Sequence, residues 1–145
     1  MKWGVYDDYA IRNIKPIGDN SVLIRVLEPR YRETGIPYKI KHLNEYNEVL
    51  ELYFDDIRFD IPDEYKDRFI EFNEEMANKL IDFIKKHDIN EVNVHRNKGS
   101  SRSSAIMYCI ALILDDKSII NEIDSDSYYN PNKQVLSVFK SIFYK

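Results

Sequence analysis

Residues 92–114 constrain the fold most, because they join an apolar strand directly to an apolar helix. Val92 and Val94 give the strand signal, a polar loop containing Gly99 follows, and an apolar helical segment begins near Ser101. A strand, a short loop and a helix in this order are typical of α/β proteins, which bind ligands at the carboxyl ends of their strands. The sequence therefore predicts an α/β fold with a binding loop between a central strand and a helix.

This loop has the features of a phosphate-binding loop. Loop amides and the first N–H groups of the helix would converge on one point, where the helix dipole adds partial positive charge. Arg102, in the first helical turn, can bind two phosphate oxygens through its guanidinium fork. The alternative is an ordinary strand-to-helix turn, with serines capping the helix and basic side chains in solvent. The candidate phosphate-binding residues are Arg96, Asn97, Lys98, Gly99, Ser100, Ser101, Arg102 and Ser103.

The same loop resembles the signature loop of the cysteine-dependent protein tyrosine and dual-specificity phosphatases. That signature reads His-Cys, five residues, then Arg and Ser or Thr, with Gly three residues after the Cys. His95, Gly99, Arg102 and Ser103 match it, and Arg96 stands at the position of the nucleophilic cysteine. An arginine stays protonated and is not a nucleophile at neutral pH. The resemblance implies a dual-specificity-phosphatase-like fold, with a mostly parallel central sheet flanked by helices, and a pseudophosphatase without catalytic residues.

The resemblance also implies roles for residues around this loop. The family's general acid follows a strand, which corresponds here to Asp56 or to Asp55; without the cysteine they are ligand contacts or solvated turn residues. His95 corresponds to a histidine that supports the loop from beneath by hydrogen bonds. Ser103 corresponds to a hydroxyl that assists departure from the phosphocysteine, or else it caps the helix. Cys109 lies at least two turns into the helix, so we expect it to be a buried apolar residue that cannot replace the nucleophile.

Hydrophobic patterning predicts the remaining elements. Ser21–Leu27 is almost continuously apolar and predicts a central, buried strand, and residues 48–54 predict a second one. Residues 1–20 form an ordered segment, with an edge strand as one option. An apolar stripe at three- and four-residue steps predicts that residues 63–86 are the longest helix. Residues 130–132 introduce a final helix, as in compact bacterial and viral phosphatase-like domains, which this tail resembles.

Length and composition restrict the class of protein. The chain has 145 residues, 43% hydrophobic and 32% charged, which predicts one domain, residues 1–145, with a proper core. The net charge of −4 disfavours binding to long nucleic acid. No apolar run is long enough to span a membrane and no signal peptide is evident, so we expect a cytoplasmic protein, in the host cytoplasm if it is viral. The single cysteine and scattered histidines suggest neither a metal site nor a cofactor.

Three functions are compatible with these features. The first is a binding module that holds a phosphorylated small molecule, such as a signalling nucleotide that it sequesters, or a phosphoprotein, without turnover. The second is a protein-interaction scaffold in which Arg96 fills the pocket and pairs with Asp55 or Asp56. The third is a residual phosphatase that uses Ser100, Ser101 or a water activated by Asp56, although these serines lack an evident base. We rank them in that order, and the sequence leaves the oligomeric state open.

Overall fold

The fold is organised around a parallel sheet. A computed structural model describes residues 1–97 and 100–145. Its strands are β1 (Lys2–Tyr6), β2 (Ser21–Leu27), β3 (Glu48–Tyr53) and β4 (Glu91–Arg96). They form one four-stranded sheet in the order β1-β4-β2-β3, and every neighbouring pair is parallel. The prediction of an α/β fold is confirmed, and the sheet is wholly rather than mostly parallel in the described part of the chain.

Helices flank the sheet and connect its strands. The α-helices are α1 (Tyr31–Thr34), α2 (Glu74–Lys86), α3 (Ser101–Leu114), α4 (Lys117–Ser125) and α5 (Lys133–Phe143). Short 3₁₀ helices span Ala10–Asn13, Leu43–Glu45 and Asp63–Arg68. None of the helices in residues 1–97 and 100–145 is long and apolar enough to cross a membrane.

The two central strands, β2 and β4, are buried along their whole length. The predicted buried strand Ser21–Leu27 is therefore confirmed. The sequence left open whether residues 1–20 contain an edge strand, and β1 is such a strand. Side chains of β2 and β4 such as Val22 and Val94 pack with α2 to α5 in the main core. Leu23, on the alternate face, belongs to a smaller cluster with Ile11 and Tyr46. Continuous apolar runs are what a strand covered on both faces requires.

The predicted helix over residues 63–86 is wrong in its first half. The chain forms a 3₁₀ helix at Asp63–Arg68, and α2 begins only at Glu74, with Asn73 accepting a hydrogen bond from Met76 N at its N-cap. Between these elements, Asp55 N donates a hydrogen bond to the carbonyl of Ile70, and Ile70 N donates one to Asp55 Oδ2. These two bonds hold the segment extended. Tertiary contacts thus outweigh the helical spacing of the apolar residues. The longest helix is α3, not this segment.

The carboxyl ends of the strands meet at one edge of the sheet. Glu28 follows β2, Phe54 and Asp56 follow β3, and Arg96 ends β4, separated in sequence from α3 by residues 97–100. Because all strands run in the same direction, residues far apart in sequence converge at this edge. The edge therefore contains the described residues of the predicted phosphate-binding loop and the residues that contact them.

Candidate functional site

Arg102 lies in the first turn of α3 and is only 2% exposed. Its Nη1 donates a hydrogen bond to the carbonyl of Phe54 at 2.8 Å, and its Nη2 donates to Glu28 Oε1, also at 2.8 Å. Its Nε is buried and has no hydrogen-bond partner among the described residues. The guanidinium predicted to bind phosphate thus already has internal partners on two of its three nitrogens.

Arg96 ends β4 and is 7% exposed. Its Nη2 donates a hydrogen bond to the hydroxyl of Tyr128 at 3.2 Å, while its Nε is buried without a partner among the described residues. The ion pairs formed within residues 1–97 and 100–145 do not include Arg96. The pairing with Asp55 or Asp56 expected for a filled pocket is therefore not formed.

Asp56 joins three parts of the chain at this edge. Its Oδ1 accepts hydrogen bonds from Ser101 Oγ at 3.1 Å and from Asn132 Nδ2 at 2.6 Å. Its Oδ2 accepts a hydrogen bond from Arg58 Nε at 2.8 Å. Ser101 therefore has a carboxylate partner, contrary to the expectation that the loop serines lack a base. The same carboxylate also accepts hydrogen bonds from Asn132 and Arg58, so it is not dedicated to Ser101.

Asp55 and Asn97 use their side chains inside the fold. Asp55 Oδ2 accepts a hydrogen bond from Ile70 N at 2.8 Å. Asn97 Oδ1 accepts one from Glu28 N at 3.1 Å, and its Nδ2 donates to the hydroxyl of Tyr38 at 3.0 Å. Of the two carboxylates, only Asp56 contacts a described residue of the loop, which is Ser101. Asn97 fixes the segment after β2 against the end of β4.

His95 is fully buried in β4 next to Arg25 of β2, which is its partner in the sheet register. Arg25 Nε donates a hydrogen bond to His95 Nε2 at 2.9 Å. Burial and the positive charge of Arg25 lower the pKa of His95 to about 3. The imidazole is therefore neutral at physiological pH and supports the strand that leads into the loop.

The remaining loop residues have mixed outcomes. Ser100 is the N-cap residue of α3, but its side chain makes no capping hydrogen bond and donates instead to the carbonyl of Tyr128 at 2.7 Å. Ser103 is buried and donates to the carbonyl of Ser100 at 3.3 Å, so it does not cap the helix. Lys98 and Gly99, both predicted to bind phosphate, lie outside the described residues.

Cys109 is fully buried in the middle of α3, and burial raises the pKa of its thiol. A thiol nucleophile must be accessible and ionised, so this residue does not replace the missing cysteine. Among the described residues, no group of three His, Cys, Asp or Glu side chains is placed to hold a metal ion.

A cavity of about 880 Å³ lies beside Asp56 and is lined by its three hydrogen-bond donors, Arg58, Ser101 and Asn132. Ser101, at the start of α3, and Asn132, at the start of α5, both line it. Its other lining residues come mainly from residues 57–61 and 130–138. No sequence pattern predicted this cavity.

Sequence reasoning missed several partners of the site. The carboxylate of Glu28 binds Arg102, and the hydroxyl of Tyr128 binds Arg96. Asn132 donates a hydrogen bond to Asp56 and accepts the N-cap hydrogen bond of α5 from Val135 N. Asn132 had a detectable signal, because Asn after Pro is a helix N-cap pattern. The partners of Arg102 and Arg96 had no such signal, because Glu28 lies 74 positions from Arg102 and Tyr128 lies 32 positions from Arg96.

Comparisons with known proteins add no relative. Neither the protein-family models, nor curated proteins, nor solved structures give a match to this chain.

Proposed function

We propose that this chain is a catalytically inactive, dual-specificity-phosphatase-like domain that binds a phosphoryl-bearing ligand at the β4–α3 loop without turning it over. The ligand is a phosphorylated small molecule or a phosphoprotein. The observation that carries the proposal is the buried guanidinium of Arg96, which has a tyrosine hydroxyl but no carboxylate partner in the described part of the chain.

A buried charge without a counter-charge is costly. Transferring an ion from water into the protein interior costs on the order of several kcal/mol, even after the protein relaxes around it. The hydroxyl of Tyr128 supplies one neutral acceptor, which does not balance the charge of Arg96. A bound oxyanion would balance it and would also give its Nε an acceptor.

The helix that follows supports the same conclusion. The N-caps of α2, α4 and α5 accept hydrogen bonds through the side chains of Asn73, Asp116 and Asn132. At α3 the side chain of Ser100 makes no such bond. Among the described residues, the first N–H groups of α3 therefore lack a side-chain acceptor at the end of the helix where the dipole favours an anion.

Arg102 has a different part in this proposal. Glu28 neutralises its charge, and Phe54 accepts from a second nitrogen, so these two bonds orient the guanidinium. Its buried Nε remains without a partner among the described residues. Arg102 thus offers an oriented donor, and Arg96 supplies the net positive charge.

Inactivity follows from the lack of a competent nucleophile. Arg96 occupies the position of the cysteine in the resemblance, and Cys109 is buried with a raised pKa. Ser101 is hydrogen-bonded to Asp56, but that carboxylate is also engaged by Asn132 and Arg58. A hydroxyl needs an available base to attack phosphorus.

The second candidate function is a protein-interaction scaffold with a closed pocket. The ion pair between Glu28 and Arg102 favours this function, because the carboxylate already binds one nitrogen of the Arg102 guanidinium. In that case the site would not bind free oxyanions, and the domain would act through its surface.

Calorimetry with inorganic phosphate separates the two functions. We expect the wild type to bind phosphate and Arg96→Met to bind it at least about tenfold more weakly, because a charge-assisted hydrogen bond contributes about 1.5–3 kcal/mol. Methionine keeps much of the side-chain volume and removes a buried charge, so the variant should fold. Lys79→Gln, which removes a positive charge from an exposed site on α2, is the matched control.

Equal affinity of the wild type and Arg96→Met would contradict the proposal. Absence of binding heat with the wild type would favour the scaffold. Binding by Lys79→Gln should equal that of the wild type, which shows that the effect is local rather than a consequence of net charge.

A further inference from the structure

We propose that the cavity beside Ser101 holds the nucleoside part of a nucleoside phosphate whose phosphoryl group is bound at the β4–α3 loop. This inference rests on the proposed function and names the class of its ligand. It selects a small molecule over a phosphoprotein, and it assigns a role to residues 57–61 and 130–138 that the loop alone does not explain.

The size of the cavity is the first argument. Its volume of about 880 Å³ is far larger than a phosphate ion needs. Sites for small organic ligands commonly measure about 300–1,000 Å³. The cavity therefore has room for an organic group of nucleoside size in addition to a phosphoryl group.

The position of the cavity is the second argument. Ser101 lines it and is also the first residue of α3, directly after the loop. Asn132 lines it and donates a backbone hydrogen bond to the carbonyl of Ser101 at 2.9 Å. Both side chains bind Asp56, which fixes the two helix starts relative to each other. One ligand can therefore contact the loop and the cavity through Ser101.

The chemistry of the lining is the third argument. Ile57, Ile61 and Val138 provide apolar surface, and Gln134 provides an amide. Charged side chains of both signs, among them Lys66 and Glu71, also line the cavity. The Nε2 of Gln134 donates to the carbonyl of Phe72 at 2.9 Å, whereas its Oε1 is buried without a partner among the described residues. A buried acceptor of this kind needs a donor. The amino groups of bases and the hydroxyl groups of ribose are such donors.

Phe59 adds a surface for stacking. It lines the cavity and is 60% exposed, although it makes an edge contact with Phe69 at 6.2 Å between ring centroids. Exposed aromatic rings bind nucleobases by stacking, whichever base is present. Apolar surface, an unsatisfied amide oxygen and an exposed ring together match a nucleoside better than a sugar, which lacks a planar face.

The test measures binding of inorganic phosphate and of the four common nucleoside 5′-monophosphates by calorimetry. We expect at least one nucleotide to bind about tenfold or more tightly than phosphate. Ser137→Trp should remove this gain and leave phosphate affinity unchanged, because Ser137 is an exposed α5 residue that lines the cavity. Ser141→Trp, on an exposed position of α5 that does not line the cavity, is the matched control and should change neither affinity.

Two further measurements test that one ligand uses both parts of the site. Phe59→Leu should reduce the nucleotide gain several-fold without changing phosphate affinity. Arg96→Met should weaken nucleotide and phosphate binding by similar factors, because both ligands present the same phosphoryl group to the loop.

Several outcomes would overturn the inference while the proposed function stands. They are phosphate binding with no gain from any of the nucleotides, a gain that persists in Ser137→Trp, and tighter binding of a phosphotyrosine peptide than of every nucleotide. Nucleotide binding that Arg96→Met leaves unchanged would show that the cavity acts alone, which also overturns it. If neither phosphate nor any nucleotide binds the wild type, both the inference and the proposed function fail.

Discussion

The guanidinium of Arg102 donates a hydrogen bond through Nη2 to Glu28 Oε1 at 2.8 Å, across 74 positions of the sequence. The side chain of Arg102 is 3% exposed and that of Glu28 is 22% exposed, so solvent screens the pair only weakly. An oxyanion that approaches Arg102 therefore meets a carboxylate of the same sign. In the proposed function, the affinity of the site for anions should therefore depend on this internal ion pair.

Glu28→Gln should tighten phosphate binding several-fold and lower the stability of the fold. The substitution removes negative charge from the site, and it leaves the buried charge of Arg102 without a counter-charge, which should cost about 2 kcal/mol of unfolding free energy. Calorimetry and urea denaturation would measure the two effects. Glu33→Gln, at an exposed position of α1, is the control and should change neither phosphate affinity nor stability. Unchanged phosphate affinity in Glu28→Gln would show that Glu28 does not compete with the anion for Arg102.

Asn132→Ala should destabilise the protein more than Asn73→Ala does. Both residues accept the N-cap hydrogen bond of a helix, which contributes about 1 kcal/mol. Asn132 also donates to Asp56 Oδ1 and to the carbonyl of Ile57, and it is buried, so its removal should cost about 3 kcal/mol in total. Urea denaturation of both variants measures the difference. Equal losses would mean that the bonds to Asp56 and Ile57 contribute nothing to stability.

His95 should make stability depend on pH below neutrality. Burial and Arg25 lower its pKa in the folded state to about 3, from a usual value of 6.5. Between these values the unfolded chain binds a proton and the folded chain does not, so stability is complete above pH 6.5 and falls as the pH decreases. The contribution lost between pH 7 and pH 5 is about 2 kcal/mol.

The matching variant is His95→Asn, which removes the titrating group. Its unfolding free energy, measured by urea denaturation, should change less between pH 7 and pH 5 than that of the wild type, by about the same 2 kcal/mol. Parallel pH curves for the two proteins would show that His95 is not the group responsible.

Arg96→Cys should release p-nitrophenol from p-nitrophenyl phosphate, and the wild type should not. In the phosphatases that the loop resembles, the N-terminus of the following helix lowers the pKa of the cysteine thiol at this position, and we expect the same effect here. Asn97→Cys is the control, because its thiol would stand one residue away. Cys109 is buried, so alkylation by iodoacetamide would report only on the introduced thiol. Turnover by the wild type would instead support the residual phosphatase.

Local patterns predicted the elements that are most strongly apolar. Ser21–Leu27 forms β2, which is buried at every position, and the helix from Ser101 forms α3, which is buried over most of its length. The pattern failed over residues 63–86, where apolar residues at helical spacing belong to a 3₁₀ helix, an extended segment and α2. Asn73 followed by two acidic residues was a usable N-cap signal for the true start of α2.

The candidate site could be predicted only in part. Asp56 and Ser101 were both proposed from the sequence, but their hydrogen bond was not, because it joins the ends of two different elements. The same is true of Arg96 with Tyr128 and of Arg102 with Glu28.

By itself, the sequence determined the order of strands and helices around the β4–α3 loop and placed Arg96 where the phosphatase signature that this loop resembles has a cysteine. Those features depend on residues that are close together along the chain, and hydrophobic periodicity and side-chain chemistry report them directly. Only the tertiary structure decided which groups contact Arg96 and Arg102 and where the cavity lies. The parallel sheet brings Glu28, Asp56 and Arg96 to one edge from strands far apart in sequence, and no local pattern encodes that convergence.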